Sequence, residues 1–126
     1  MQKRILVIDD DELMLGALDS FLIFENFLTH TVLSAERIDQ AVAGFKPDLI
    51  IMDIRLNDAD GRLICDELKG KSASSGIPIL LLTGLSYQEI ALIDCKADAI
   101  IGKPYEGSSL LNTIDQLLKG LASYGS

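Results

Sequence analysis

The chain alternates short, wholly apolar runs with longer segments whose apolar residues recur every three or four positions. Residues 4–8 (Arg-Ile-Leu-Val-Ile) are β-branched and apolar and predict a buried strand. Over residues 11–25, Leu15, Leu18, Phe21 and Leu22 fall at helical spacing. Residues 29–33 read as a brief second strand, and 38–45 as a helix stopped by Gly44 and Pro47. Residues 49–52 and 79–82 predict a third and a fourth apolar strand, with a helix at 62–69 and a polar stretch at 69–76 between them. A short helix at 87–93, a short strand at 99–101 and a helix at 108–121 complete the pattern. The last helix carries Leu110, Leu111, Ile114, Leu117, Leu118 and Leu121 on one stripe.

Strands apolar on both faces and separated by helices predict an α/β fold with a five-stranded parallel sheet covered on two sides. Right-handed crossovers leave the doubly wound sheet as the usual topology. No linker or composition shift divides the chain, so residues 1–121 are expected to form one domain, with 122–126 a tail or the start of a linker.

Composition narrows the function. The 126 residues carry 11 Lys and Arg against 19 Asp and Glu, a net charge of −8. Phosphate backbone repels such a surface, so nucleic-acid binding by this domain is not expected. The apolar runs are too short for a membrane span, and no signal-peptide pattern opens the chain. Cys65 and Cys95 form no CxxC pair and no disulfide framework, which makes a reduced, cytoplasmic setting the simplest expectation. With two distant cysteines and one histidine, His30, a zinc site has no support.

Ligands of open α/β sheets bind at the carboxyl ends of the strands. Asp9, Asp10, Asp11 and Glu12 follow the first predicted strand, Ser34 the second, Asp53 the third, Thr83 and Gly84 the fourth, and Lys103 and Pro104 the fifth. Asp11 and Glu12 suit a helix N-terminus. Asp9 and Asp10 lie beside Asp53; three carboxylates converging there have raised pKa values or need a cation, for which Mg²⁺ is suited. The competing reading makes Asp9 or Asp10 a turn residue with a hydrogen-bonded side chain. Asp53 leaves a buried strand as a nucleophile, a metal ligand or both. Pro104 confines Lys103 to extended conformations, in a cis-prone or rigid turn that aims the ammonium. Gly84, beside Thr83, suggests close approach by another group.

In this order and spacing, Ile8-Asp9-Asp10, Met52-Asp53-Ile54 with Asp60-Gly61, Leu82-Thr83-Gly84 and Ala97-Asp98 leading to Lys103-Pro104 resemble the receiver domain of two-component response regulators. The resemblance runs from Lys3 to about Leu121. It implies the flavodoxin-like (βα)5 fold with strand order 2-1-3-4-5, an order the general rules already attach to a member of this family. It also implies a phosphorylation switch. Asp53 is then the phosphoacceptor, taking a phosphoryl group from a histidine kinase or a histidine phosphotransfer protein. Asp10 binds Mg²⁺ directly, Asp9 mostly through water, and the Arg55 backbone carbonyl supplies a further ligand. Lys103 and Thr83 contact phosphoryl oxygens, and the resulting change of surface is read by a downstream protein effector. Such a domain catalyses only its own phosphorylation and slow dephosphorylation.

The chain departs from that pattern at several places. Ile100 stands where the family usually has an aromatic switch residue, Asn57 where a proline is usual, and Lys96 where a glycine is common. The segment from Thr83 to Lys103 is about two residues shorter than usual, which predicts a short or irregular fourth helix. These changes fall on a face many receivers use for output, flanked by Tyr87 and Tyr105, so a homodimer is allowed but not predicted. Arg55 and Leu85, two residues past Asp53 and Thr83, are expected to hinder water and lengthen the life of the acyl phosphate; a solvated surface role is the alternative for Arg55. Competing functions are a degenerate receiver acting only as an interaction domain, an aspartate-nucleophile phosphatase, which usually carries an acid where Arg55 stands, and an FMN carrier, whose phosphate the acids at 9–12 would repel.

Overall fold

The computed structural model describes residues 2–56, 59–92 and 94–120. Its elements, in chain order, are β1 (Arg4–Ile8), α1 (Glu12–Phe24), β2 (Leu28–Val32), a 3₁₀ turn (Ala35–Arg37), α2 (Ile38–Phe45), β3 (Leu49–Asp53), β4 (Arg55–Leu56), β5 (Ala59–Asp60), α3 (Gly61–Lys69), β6 (Ile79–Thr83), α4 (Tyr87–Ala91), β7 (Ala99–Gly102) and α5 (Gly107–Leu118). The main sheet has the order β2-β1-β3-β6-β7, all pairs parallel. Counting only its five strands, this is the expected 2-1-3-4-5.

The interior strands are apolar on both faces because both faces are covered. Leu49, Ile50, Ile51 and Met52 are fully buried, as are Ile79, Leu80 and Leu81. Period-two alternation sends their side chains into two cores. One core joins Ile50, Met52 and Leu81 to Ile38 and Val42 of α2 and to Cys65 and Leu68 of α3. The other joins Ile51, Leu80 and Leu82 to Leu15, Leu18 and Leu22 of α1 and to Leu110, Ile114 and Leu117 of α5. Burial pushes the Cys65 thiol up to about 12, so it is a packed core group; both cysteines are free.

Helix starts follow local chemistry. The Asp11 carboxylate caps α1, accepting from the N–H groups of Leu13 (3.0 Å) and Met14 (3.3 Å). Asp60 caps α3. Ser86 and Glu89 form a reciprocal capping box that starts α4, which runs for only 5 residues, in line with the short fourth helix expected.

Some boundaries differ from the sequence reading. The second strand spans Leu28–Val32 rather than 29–33, and the third main helix begins at Gly61. The last helix is Gly107–Leu118 rather than 108–121. An antiparallel ribbon, β4 against β5, was not anticipated. Asn57, Ile93 and the tail at 122–126 lie outside the described residues, as does the side chain of Tyr87. His30 is exposed on the edge strand, its ring 5.4 Å from that of Phe45. No helix among the described residues is long and apolar enough to cross a membrane.

Candidate functional site

The parallel sheet delivers every strand's last residue to one edge. At that edge Asp53 ends β3, Asp9 and Asp10 follow β1, Thr83 ends β6, and Lys103 follows β7. Lys103 Nζ donates to Oδ2 of Asp53 at 2.8 Å and lies 3.9 Å from Oδ2 of Asp9. Asp53 Oδ1 accepts from the Arg55 N–H at 3.2 Å. Both oxygens of the candidate phosphoacceptor are therefore oriented. The Lys103 backbone is tied to the end of β6, because its N–H donates to the Thr83 carbonyl at 2.6 Å; the Lys103–Pro104 peptide is cis.

Asp9 is almost fully buried, and its carboxyl is held above the usual range. Burial is the main cause, with Asp53 and Asp10 adding repulsion; the Asp11 N–H, at 3.0 Å from Oδ1, and Lys103 work against it. Asp9 thus has the side-chain hydrogen bond of the turn reading and also stands beside Asp53. Asp10 is half-buried.

Among the described residues, no three acidic, histidine or cysteine side chains form a ready metal cage. Lys103, bridging Asp53 and Asp9, carries part of the compensating charge, and the raised Asp9 carboxyl reflects the rest of the crowding. The donors at this edge are still carboxylate and carbonyl oxygens. That set fits Mg²⁺, which takes one or two carboxylates and keeps several waters.

Thr83 is buried, and its Oγ1 accepts from the Leu85 N–H at 3.1 Å, leaving the hydroxyl proton to be donated elsewhere. Gly84 is exposed, and a Cβ there would meet nothing within 4 Å, so no described residue makes the close approach expected at Gly84. Ile100 is half-buried against the α2–α3 core and pairs with Leu81. Arg55 is exposed, and Leu85 is half-buried. Asp98, quoted in the motif, lies at the opposite end of β7. There it accepts from the Ile79 N–H at 2.8 Å and pairs with Lys69 at 2.6 Å, a structural role.

Gly61 has a role that its sequence context hid. Its N–H donates to the Ile54 carbonyl at 2.6 Å. A Cβ there would lie 2.5 Å from the Asp53 carbonyl oxygen and 2.9 Å from Ile54 Cα. Only glycine lets α3 close against the backbone that carries the candidate phosphoacceptor. The signal was present as Asp60-Gly61, which reads as an ordinary turn.

Comparison with known proteins agrees with the architecture. The model of the response regulator receiver domain matches residues 5–115. The protein PetR of Rhodobacter capsulatus is 33% identical over 118 residues, covering 92% of this chain and 48% of its own length. Response regulator MprA of Mycobacterium tuberculosis is 29% identical over 94% of this chain and 52% of its own. The chain therefore spans about half the length of these curated relatives. Among solved structures, the signal receiver domain of a signal transduction histidine kinase from Syntrophus aciditrophicus superposes with a TM-score of 0.85, at 29% identity, covering 98% of this chain and 96% of that one. A CheY-like receiver domain protein from Methanospirillum hungatei superposes with a TM-score of 0.84, at 26% identity, covering 95% of this chain and 96% of that one. The sheet order, the carboxyl-edge cluster and these matches together make the chain a member of the response regulator receiver domain family.

Proposed function

We propose that this domain accepts a phosphoryl group on Asp53 in a Mg²⁺-dependent reaction and thereby switches a protein-binding surface. The observation that carries the reading is the 2.8 Å contact between Lys103 and Asp53 at the carboxyl edge of the sheet, with buried Thr83 alongside. A carboxylate oxygen of Asp53 attacks phosphorus; the O–P bond forms as the P–N bond of a phosphohistidine donor breaks, and the histidine leaves with its electron pair. The transferred group spreads charge over its equatorial oxygens, so positioning and positive charge do most of the work. Lys103 supplies a fixed cation, and Thr83 a hydroxyl proton. Asp10, Asp53 and the Arg55 carbonyl would hold Mg²⁺, with Asp9 acting through water. The metal would supply further neutralisation of phosphoryl charge.

The donor would be a histidine kinase or histidine phosphotransfer protein, and the readout a downstream effector in the cytoplasm. Phosphorylation adds about −1.5 to −2 charge and strong acceptor oxygens beside Thr83 and Lys103, whose loops are bonded to each other. Ile100 replaces the usual aromatic, so the change would pass through packing of the α2–α3 core rather than a ring flip.

The test is intact-protein mass after incubation with a small acyl-phosphate donor and Mg²⁺, and then with a phosphorylated histidine phosphotransfer protein. One phosphoryl adduct that requires Mg²⁺ and vanishes in Asp53→Ala is the expected result. An adduct surviving in Asp53→Ala moves the acceptor elsewhere. No adduct from either donor leaves an interaction domain without chemistry. Sustained turnover of a chromogenic phosphate ester makes the protein a phosphatase instead.

A further inference from the structure

The edge strand β2 lies in a groove that the phosphorylation chemistry does not use. The groove holds about 900 Å³ and runs between α1 and α2. The phase of the β1–β2 ladder decides what faces it. Leu28 N–H donates to the Lys3 carbonyl, and Asp9 N–H to that of Val32, so residues 28, 30 and 32 turn their backbone groups inward. Thr29 and Thr31 turn theirs to the open side.

Both walls are cut back for an occupant. Gly16 on α1 and Gly44 on α2 line the groove, and a Cβ at either would meet nothing within 4 Å. Exposed Leu33 continues the floor. The α1 wall is acidic, with Glu12 and Asp19. Asp19 Oδ1 is shut off from solvent and has no hydrogen-bond partner among the described residues. A buried carboxylate oxygen left unpaired is costly, and a cation donor relieves that cost. The opposite wall is mixed, with Arg37 of the 3₁₀ turn and Ala41 of α2.

We propose that the open edge of β2 docks an extended, basic segment of a partner protein as an added sixth strand. Its backbone pairs with Thr29 and Thr31. Alternate side chains point to opposite faces of the sheet, so one set of lysines or arginines meets Asp19 and Glu12 while the other set, small or apolar, meets α2. A second copy of this chain is the poorer occupant. It would bring its own Glu12 and Asp19 into the same groove, along with its own net charge of −8. That same charge attracts a basic segment at long range.

The probe is a fluorescent, capped peptide of alternating valine and lysine, about seven residues long to match a typical strand, with its valine–glutamate counterpart as control. The valine–lysine peptide is expected to bind saturably by anisotropy and to slow amide exchange at Thr29 and Thr31; the control is not. Asp19→Asn weakens binding about tenfold, the size of one charge-assisted hydrogen bond. Thr31→Pro, which removes one outward N–H, abolishes it. Gly16→Leu, which fills the groove from an exposed helix position, abolishes it by a second route and guards against misfolding of the proline variant. Equal binding of both peptides, protection at other amides, or unchanged affinity in Asp19→Asn overturns the proposal. So does loss of free edge amides through self-association, seen as a concentration-dependent mass.

Discussion

Lys103 Nζ stands 2.8 Å from Oδ2 of Asp53, so the last strand of the sheet hands a cation to the carboxylate at the end of the central one. Both groups are mostly shielded, with 21% and 16% of their side chains exposed. The pair is therefore a shielded, positioned contact rather than a surface salt bridge of small worth.

Lys103→Met removes that charge while keeping most of the stem. Phosphorylation of Asp53 by a small donor is expected to slow by about 100- to 1,000-fold, the range for one preorganised electrostatic contact. Time-resolved intact mass measures it. A rate within a factor of about 2 of the parent would mean that the metal alone neutralises the transferred group.

Arg55, at the start of β4, and Leu85, in the loop after β6, stand two residues past Asp53 and Thr83 and line one pocket together with Ile54 and Asp60. Truncating each to alanine opens a path for water in line with the acyl phosphate. The double variant Arg55→Ala/Leu85→Ala is expected to lose its phosphoryl group on the order of tenfold faster, since attack depends on access and orientation. Decay of the phosphorylated mass after donor removal reads this out, and an unchanged half-life would leave Arg55 a solvated surface residue.

Two glycines should respond in opposite directions. Gly61→Ala drives a methyl group against the Asp53 and Ile54 backbone and should cost about 1–3 kcal/mol, with a further loss of phosphorylation because Asp53 is displaced. Gly16→Ala places a methyl group in open space within α1 and should add about 0.5–1 kcal/mol. Urea denaturation compares both with the parent.

The carboxyl of Asp60 is held below its ordinary 3.8, chiefly by the hydrogen-bonded Arg62 guanidinium, whose Nη2 approaches Oδ2 to 2.6 Å. A depressed native pKa means the folded chain binds fewer protons than the unfolded one between the two values. Stability from this group is full above 3.8 and is lost as pH falls through the lower native value. Arg62→Gln should therefore weaken the fold at pH 7, and this deficit should disappear at strongly acidic pH. Asp60→Ala also removes the cap of α3 and should cost about 1 kcal/mol. Urea midpoints across pH test both.

The strands were legible where burial is two-sided. Leu49–Met52 and Ile79–Leu82 are apolar at every position because both faces are covered. The edge strand β2 is mostly exposed, so nothing in Leu-Thr-His-Thr-Val marks where pairing begins, and its expected start was one residue late. The β4–β5 ribbon is two residues on each side, too short for any period to show. Asp9, Asp53, Thr83 and Lys103 stood out because they follow apolar runs abruptly. The demand on Gly61 did not, since it arises from the approach of an α3 residue to a strand end eight positions earlier and leaves no composition signal. The unpaired Asp19 oxygen was equally invisible, because its position on α1 looks like any polar helix residue.

The 2.6 Å hydrogen bond from Lys103 N–H to the Thr83 carbonyl joins the two loops that, under the proposed function, would face the phosphoryl group. The hydroxyl and the ammonium are consequently borne on one mechanical unit. Ordering either loop would order the other, so the conformational entropy lost on engaging a phosphoryl group would be shared rather than incurred twice. The proposed switch would then have few half-engaged states, and a variant that slackens this one backbone link would blur the distinction between resting and phosphorylated surfaces without touching a single group proposed to contact phosphate.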